Sequence, residues 1–245
     1  MQPEKDVSDA KSAPEYLKVK RFILKRLASA EFQPHDRLPS ERRLCETLGA
    51  NRNTIRHALS ILEREGSIYR SGRRGWFASG PRLVFDPSRE HVNFDKLARK
   101  QGFLPSWDVK ESSSCPATGE LAELFEVEEG EPLYSCFEVG ILDGQPAYYS
   151  ECYFLARLCP GILPKIVSQP MTDVLREDYA IDLFQKRLLI RPISLSARVT
   201  AQLDLPARSP GLFIRRVKRS QHGDIVQVDY EYWRYDAVEL RSEFP

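Results

Sequence analysis

The chain has 245 residues, of which 42% are hydrophobic and 29% are charged. This composition is typical of a globular protein and excludes collagen, a coiled coil and disorder throughout the chain. No hydrophobic run reaches the roughly 18 to 20 residues that a membrane-spanning helix needs. We therefore expect a cytoplasmic protein with no membrane partner.

The net charge of +1 conceals an uneven distribution along the chain. Residues 15–80 hold 14 Lys and Arg against 7 Asp and Glu, a net charge of +7, which leaves 22 positive and 28 negative side chains, or −6, elsewhere. This asymmetry predicts an acidic polymer as the partner of the basic segment. Residues 1–14 are polar and lack the hydrophobic core of a secretory signal, so we expect a disordered leader there.

The cysteine and histidine residues follow no metal-binding or catalytic pattern. The five cysteines are scattered without a C-x-x-C pair, and the four histidines have no metal-ligand spacing. HExxH, GxSxG, Walker and dinucleotide-binding glycine motifs are also missing from the sequence. The sequence therefore predicts reduced thiols, no metal site, no cofactor and no catalytic residues, and we expect that the protein is not an enzyme.

The basic segment reads as three helices followed by a hairpin. Hydrophobic spacing predicts the second helix over residues 41–48, between an N-cap at Ser40 and a terminating Gly49, and a third helix after the cap Asn51. Residues 67–78 then read as a β-hairpin with a basic, glycine-flanked tip. Two helices joined by a short turn and followed by such a hairpin predict a winged helix-turn-helix.

The third helix has one hydrophobic face and one basic face. From Ile55, hydrophobic residues recur at i, i+3, i+4 and i+7, which is the spacing of a buried helical stripe. This stripe turns Arg52, Asn53 and Arg56 away from the core. Side chains in the first turn of such a helix are placed to meet base edges or phosphates in the major groove.

The segments Arg37–Leu44 and Asn51–Leu59, followed by Glu65 and Gly66, resemble the winged helix-turn-helix of the GntR family of bacterial transcription regulators. The resemblance implies a double-stranded, pseudo-palindromic DNA operator as the partner. We also expect phosphate contacts from neighbouring arginines at the second helix and the wing. The residues predicted to contact DNA are Arg42, Arg43, Arg52, Asn53, Thr54, Arg56, Gly72, Arg73 and Arg74.

The remainder of the chain reads as a linker over residues 81–92 and an α+β domain over residues 93–245. Asn93 is a predicted cap for a helix that begins at Phe94. Hairpin signals at Asp143-Gly144 and at residues 222–224 are each flanked by strand patterns. A helix over residues 172–179 and a strand over residues 188–200 complete a predicted antiparallel-sheet domain.

This second domain resembles the UTRA effector domain of the HutC subfamily of GntR regulators, whose fold is related to chorismate lyase. The residues that carry the resemblance are Asp143-Gly144-Gln145-Pro146 and the closing run Glu231–Asp236. The resemblance implies an α+β fold, a small-molecule effector and a homodimer. It does not imply lyase chemistry, because a shared fold is compatible with unrelated functions.

Within the subfamily, the strings Arg73–Phe77, Asn93–Leu97 and Gln221–Gly223 are similar to those of regulators of 2-aminoethylphosphonate utilisation. This similarity implies a phosphonate effector, 2-aminoethylphosphonate, as a partner. Sugar-phosphate-responsive members carry an Arg-x-Arg pair where this chain has Glu138 and Gly140. The loss of two cations favours a small ligand that bears a positive group.

The strand from Ile225 provides a predicted site for that positive group. Alternation places Gln227, Asp229, Glu231 and Trp233 on one face of the strand. Two carboxylates beside an aromatic ring suit an ammonium ion, while the resemblance implies an anion-binding pair at the start of the helix after the linker. The predicted effector contacts are Asn93, Phe94, Glu138, Ser150, Glu151, Asp229, Glu231 and Trp233.

Together these patterns predict a ligand-responsive, sequence-specific DNA-binding regulator, a repressor of a catabolic or transport operon for phosphonate utilisation. Three alternatives stay open. The same class of regulator could sense a different small amino or anionic metabolite, its C-terminal domain could bind a protein, or the chain could be a lyase-type enzyme fused to a DNA-binding module.

Overall fold

The computed structural model describes residues 14–71, 74–87 and 93–243. The contacts divide the chain into two compact units, Met1–Pro81 and Arg82–Pro245. Of the leader predicted for residues 1–14, only Pro14 falls within the described residues. The elements of the first unit are α1 (Glu15–Ala28), α2 (Glu41–Leu48), α3 (Arg52–Arg64), β1 (Ile68–Ser71) and β2 (Gly75–Ala78).

The ends of α2 and α3 are set by the predicted capping residues. The Ser40 side chain accepts a hydrogen bond from the backbone N–H of Arg43, and Gly49 closes α2 in the left-handed conformation with φ of 64°. The Asn51 side chain accepts from the backbone N–H of Thr54 at the start of α3. These bonds satisfy backbone donors that have no partner within the helix, and they confirm the predicted boundaries.

The hydrophobic stripe of α3 forms the centre of the first core. Ile55 and Leu59 are fully buried, and they share a cluster with Val19 and Ile23 of α1. Strands β1 and β2 pair antiparallel as the wing, and the backbone N–H of Leu38 donates to the carbonyl of Trp76. The predicted winged helix-turn-helix is therefore confirmed.

The second unit is an α+β domain, as predicted. Its elements are β3 (Leu83–Phe85), α4 (Phe94–Lys100), β4 (Pro105–Pro116), α5 (Glu120–Phe125), β5 (Pro132–Leu142), β6 (Gln145–Leu155), a short 3₁₀ turn (Ala156–Leu158), α6 (Leu163–Ile166), α7 (Met171–Tyr179), β7 (Phe184–Ser194), α8 (Ala197–Gln202), β8 (Pro210–Arg219), β9 (Ile225–Arg234) and β10 (Val238–Leu240).

Six of the strands form one antiparallel sheet in the order β4-β5-β6-β9-β8-β7. Asp143 and Gly144 join β5 to β6 with φ of 50° and 76°, the positive values that a two-residue hairpin turn requires. Helices cover both faces of the sheet: α6 and α7 pack on one face, and α5 and α8 pack on the other. Along the central strands, side chains that point to either face of the sheet are therefore buried.

Two predicted boundaries in the second unit are wrong. Part of the predicted linker is a strand, because Leu83 and Phe85 are hydrophobic and buried, and β3 pairs in parallel with β10. The strand predicted over residues 188–200 spans Phe184–Ser194, and Ser196 then caps α8 by accepting from the backbone N–H of Val199. Residues 88–92 of the predicted linker lie outside the described residues.

None of the helices within the described ranges combines the length and the hydrophobicity that crossing a bilayer requires.

Candidate functional site

The N-terminal end of α3 presents two arginines, one turn apart, that share one carboxylate. Arg52 Nε lies 3.2 Å from Glu41 Oε2, and Arg56 Nε lies 3.9 Å from Glu41 Oε1. The side chains of Arg52 and Arg56 are nevertheless 75% and 59% exposed. Glu41, which the sequence patterns did not single out, therefore orients both guanidinium groups without covering them.

The other predicted DNA contacts that the structure describes lie on α2, on α3 and beside the wing. Arg42 is exposed with Glu46 3.3 Å away, and Arg43 and Asn53 are exposed. Thr54 is half-buried beneath its capping partner. Arg74 is exposed beside β2 and donates to the hydroxyl of Ser71. Gly72 and Arg73, at the tip of the wing, lie outside the described residues.

A cavity of about 90 Å³ lies against the face of the large sheet that α7 covers, beneath α4 and β3. It brings together seven of the eight predicted effector contacts: Asn93, Phe94, Glu138, Ser150, Asp229, Glu231 and Trp233. Strand register explains the convergence, because Glu138 is paired with Ser150, and Ser150 with Glu231. Directly paired residues on neighbouring strands share a face.

Glu151 is the predicted contact that the structure does not bring to this cavity. It follows Ser150 on β6, so alternation turns it to the opposite face of the sheet. There it forms an ion pair with Arg198 at 3.4 Å and lies in a groove with Tyr230 and Tyr232. Glu151 is therefore separated from the other seven predicted contacts by one position of the strand alternation.

Two buried ion pairs occupy the cavity wall. Lys218 Nζ lies 2.7 Å from Asp229 Oδ2, and Arg216 Nε donates to Glu231 Oε1 at 2.7 Å. Trp233 Nε1 donates to the second oxygen of Glu231, also at 2.7 Å. Asp229 and Glu231 therefore already have cationic partners. An ammonium ligand would have to compete with Lys218 or Arg216 for them.

Arg216 and Lys218 are the functional candidates that sequence reasoning missed. The sequence signal was only the alternation that places both on one face of a predicted strand, whereas the structure shows that Arg216 is paired directly with Asp229, and Lys218 with Gln227, between β8 and β9. Arg216 also lies beneath the ring of Phe85, with its guanidinium carbon 4.3 Å from the ring centroid. A cation over an aromatic face is favourable, and it links the cavity wall to β3.

Glu138 is the exception among the acids of the cavity, because no cation is paired with it within the described residues. It is 5% exposed, and its one hydrogen bond is a long one, 3.4 Å from the hydroxyl of Tyr148. Burial, together with the nearby Asp229 carboxylate, raises the pKa of the Glu138 carboxyl to about 8. Loss of water disfavours the charged form unless a cation replaces it.

Gly140 leaves room for the ring of Tyr148. A Cβ atom at position 140 would lie 2.0 Å from Tyr148 Cε1, so no larger residue fits there without moving the ring. The ring of Tyr148 in turn packs against Trp233 with centroids 4.5 Å apart. In this chain, an aromatic pair therefore fills the space beside Gly140.

The start of α4 forms part of the rim of the cavity. The Asn93 side chain accepts from the backbone N–H of Lys96 at 3.0 Å and donates to Asp173 at 3.4 Å. Lys96 Nζ also lies 2.8 Å from Asp173. These contacts tie α4 to α7. They occupy the oxygen of Asn93, while its neighbour Phe94 meets Tyr148 edge-on at a centroid distance of 5.0 Å.

Within the described ranges, no group of three or more His, Cys, Asp or Glu side chains is arranged to hold a metal ion. All five cysteines are free thiols.

Comparison with known proteins identifies both units. The profile of the bacterial regulatory proteins of the gntR family matches residues 15–78, and that of the UTRA domain matches residues 100–239. The chain belongs to the GntR family. It is a DNA-binding transcription regulator of the HutC type with a UTRA effector domain, and its relatives are transcription regulators rather than enzymes.

Among the relatives, the chain is 35% identical to the uncharacterized HTH-type transcriptional regulator YihL of Escherichia coli strain K12, over 84% of this chain and 88% of that protein. It is 28% identical to the histidine utilization repressor of Pseudomonas putida, over 62% of this chain and 60% of that one. The crystal structure of PhnF from Mycobacterium smegmatis matches with a TM-score of 0.63 and 22% identity, over 93% of this chain and 99% of that one. At that identity, the last match supports the fold alone.

The buried carboxyl of Glu138 predicts a pH dependence of stability. Its pKa rises from an ordinary value of about 4.3 in the unfolded state to about 8 in the folded state. At pH values between these two, the carboxyl is mostly protonated in the folded state and mostly ionised in the unfolded state. The free energy of unfolding should therefore fall as pH rises from about 5 to about 8, by at most about 1.4 kcal/mol per pH unit from this group. We predict that Glu138→Gln removes this component and is more stable than the wild type at about pH 8, as measured by urea unfolding.

The matched control is Glu128→Gln, which neutralises an exposed carboxylate of the same unit. It should follow the wild-type pH profile. Stability curves of wild type and Glu138→Gln that run parallel across this pH range would contradict the assignment.

Proposed function

We propose that this regulator is a homodimeric repressor that binds a pseudo-palindromic operator and is released by a small zwitterionic effector. The first candidate effector is 2-aminoethylphosphonate. The observation that carries the proposal is the convergence of seven predicted residues from four elements on one partly enclosed cavity whose wall holds charges of both signs. The regulated genes would serve the uptake or breakdown of that compound.

The operator contacts are proposed from the exposed face of α3. Arg52 and Arg56 are long, exposed side chains at the N-terminal end of a helix whose opposite face is buried. In a helix-turn-helix this end enters the major groove. Arg42 and Arg43 at the start of α2 would contact phosphates, and the wing with its basic tip would contact the backbone or minor groove. A dimer would place two such helices about one helical turn apart.

The effector would bind by exchanging partners with the buried ion pairs. A phosphonate offers three acceptor oxygens, which match the donors of Lys218 and Arg216. Separating Lys218 from Asp229 without a replacement would leave buried charge unpaired, which is costly. A ligand that brings a cation into the same cavity together with its anion reduces this cost. A ligand with a single charge does not.

Other effectors of the same chemistry remain alternatives, and the cavity size limits them. A volume of about 90 Å³ accommodates a ligand the size of a small amino acid. A sugar phosphate is disfavoured, because the rings of Tyr148 and Trp233 fill the adjoining space. A protein partner is disfavoured as well, since the charged residues at this site lie in the interior. We propose repression rather than activation because the relatives include the HTH-type transcriptional repressor NagR of Bacillus subtilis.

Strand β3 follows the DNA-binding unit in the chain and would carry the coupling from the cavity. It begins two residues after the N-terminal unit ends at Pro81, and its Phe85 covers Arg216. The Gln101 side chain also holds the backbone of Val84 through two hydrogen bonds. Engagement of Arg216 by an anion would change the packing of Phe85. Effector binding and operator binding would then be coupled through this strand.

The proposed operator contacts predict variants that lose DNA binding but keep thermal stability and effector binding. Arg52→Ala and Arg56→Ala should each weaken binding to the operator by about 5- to 150-fold, because a good arginine–base contact contributes about 1–3 kcal/mol. Thermal stability and effector binding should not change. The measurement is fluorescence anisotropy on a duplex selected from random sequences by the wild-type protein.

Arg64→Ala is the matched control, since it removes the same charge from the last turn of the same helix. Its effect on affinity should be several-fold smaller. Equal effects of all three variants would mean that α3 contributes only general electrostatic attraction, and the proposed recognition surface would be wrong.

The proposed effector site predicts that 2-aminoethylphosphonate raises the melting temperature of the wild type and weakens its binding to the operator. The double variant Lys218→Met/Asp229→Asn removes both charges of one buried pair while keeping polar and hydrophobic volume in place. We expect the double variant to bind the operator normally and to lose at least about tenfold in effector affinity, since the phosphonate loses a charged donor. Calorimetry and the anisotropy assay measure the two properties.

The control is Arg198→Met/Glu151→Gln, which removes an ion pair from the opposite face of the same sheet. It should respond to the effector like the wild type. Equal loss of response in both double variants would place the effector elsewhere.

A further inference from the structure

Two buried acceptor atoms of the cavity residues have no hydrogen bond, and a third acceptor receives only a long one. Gln227 Oε1 and Asp229 Oδ2 are buried without a hydrogen bond, although Lys218 lies close enough to Asp229 for an ion pair. The carboxylate of Glu138 has only the distant hydroxyl of Tyr148. Buried acceptors usually have partners. Acceptors gathered at a cavity therefore indicate a ligand that brings donors.

The orientation of the Gln227 amide is fixed by its neighbour. Its Nε2 donates to Asp229 Oδ1 at 2.6 Å, so the oxygen is turned away from that carboxylate. Gln227 and Asp229 are each 2% exposed and both line the cavity. Their arrangement leaves an acceptor, rather than a donor, available to a ligand.

Glu138 differs from the other two acids in its electrostatic surroundings. The charge on its carboxyl is influenced by Asp229, Glu231 and Lys218, so these groups are close enough to act on it. The two cations of the cavity are paired elsewhere, Lys218 with Asp229 and Arg216 with Glu231. The titratable and charged groups that face the same cavity or act on this cluster are Asp95 of α4, Cys136 of β5, Tyr148 and Cys152 of β6, Arg216 and Lys218 of β8, and Asp229 and Glu231 of β9.

We propose that Glu138 is the receptor for a primary ammonium group of the effector, with Gln227 Oε1 as a second acceptor, and that ammonium binding expels the proton of the Glu138 carboxyl. The O–H bond of the carboxylic acid breaks, its proton goes to solvent, and the ammonium keeps all of its protons. This assignment rests on the proposed function, and it separates the cationic end of the ligand from the anionic end at Lys218 and Arg216.

The proton exchange sets the direction of a pH effect. In the free protein the Glu138 carboxyl has a pKa of about 8, and an ammonium beside it lowers that pKa. Affinity for an aminated ligand should therefore rise with pH, by up to about tenfold per pH unit, and become constant above about pH 8. Glu138→Gln should lack this component of the increase.

The experiment compares 2-aminoethylphosphonate with ethylphosphonate, which shares the phosphonate and lacks the amine. Calorimetry of the full chain at about pH 7, in buffers with different ionisation heats, counts the protons released. We expect 2-aminoethylphosphonate to release about 0.9 proton more from the wild type than from Glu138→Gln, the fraction of a group with pKa about 8 that is protonated at this pH. The proton count is compared with the same ligand, because the ammonium makes this phosphonate ionise at a lower pH than ethylphosphonate.

Glu138→Gln should abolish the extra proton release and weaken binding of 2-aminoethylphosphonate at least about tenfold at pH 8. It should change the affinity for ethylphosphonate by no more than about threefold. Glu151→Gln, on the opposite face of the sheet, should behave like the wild type in every measurement. The melting temperature of each variant without ligand verifies that it is folded.

The outcomes separate this inference from the proposed function. Binding of 2-aminoethylphosphonate without extra proton release, or with undiminished affinity in Glu138→Gln, overturns the role of Glu138 and leaves the effector proposal in place. If neither phosphonate binds the wild type between about pH 6 and pH 9, the proposed effector class is wrong and the inference fails with it.

Discussion

The effector domain depends on the pairing of charges that its sheet buries. Lys218–Asp229 and Arg216–Glu231 lie on a face that helices cover, and each ion that loses water there costs several kcal/mol unless it is well paired. Well-packed hydrophobic residues would often stabilise such a site as well or better. The retention of two ion pairs, beside a carboxyl with no cation of its own, is therefore better explained by ligand binding than by stability.

Much of the fold could be predicted because its signals are local. Ser40 and Asn51 satisfy backbone donors three residues away, and the stripe from Ile55 is set by the period of one helix. The Asp143-Gly144 turn fixes the β5–β6 register by its own backbone angles. None of these inferences requires knowledge of a distant partner. The structure confirms each of them.

The site was less predictable because its composition depends on contacts between strands. Alternation along β9 placed Asp229 and Glu231 on one face, but the cations that neutralise them come from β8, whose register only the structure gives. Glu151 was selected with its neighbour Ser150 although adjacent residues of a strand point to opposite faces. Strand β3 was missed because three residues beside two prolines resemble a linker, and its partner β10 is distant in sequence.

The most direct test is a crystal structure of the protein with bound 2-aminoethylphosphonate. The phosphonate is expected within hydrogen-bond distance of Lys218 and Arg216, and the amine against Glu138 and Gln227 Oε1, with Phe85 displaced from its position over Arg216. A displaced Phe85 would link effector binding to β3, the strand that follows the DNA-binding unit in the chain. A ligand found on the opposite face of the sheet beside Glu151, or in the cavity with its amine away from Glu138 and Phe85 unmoved, would contradict this arrangement.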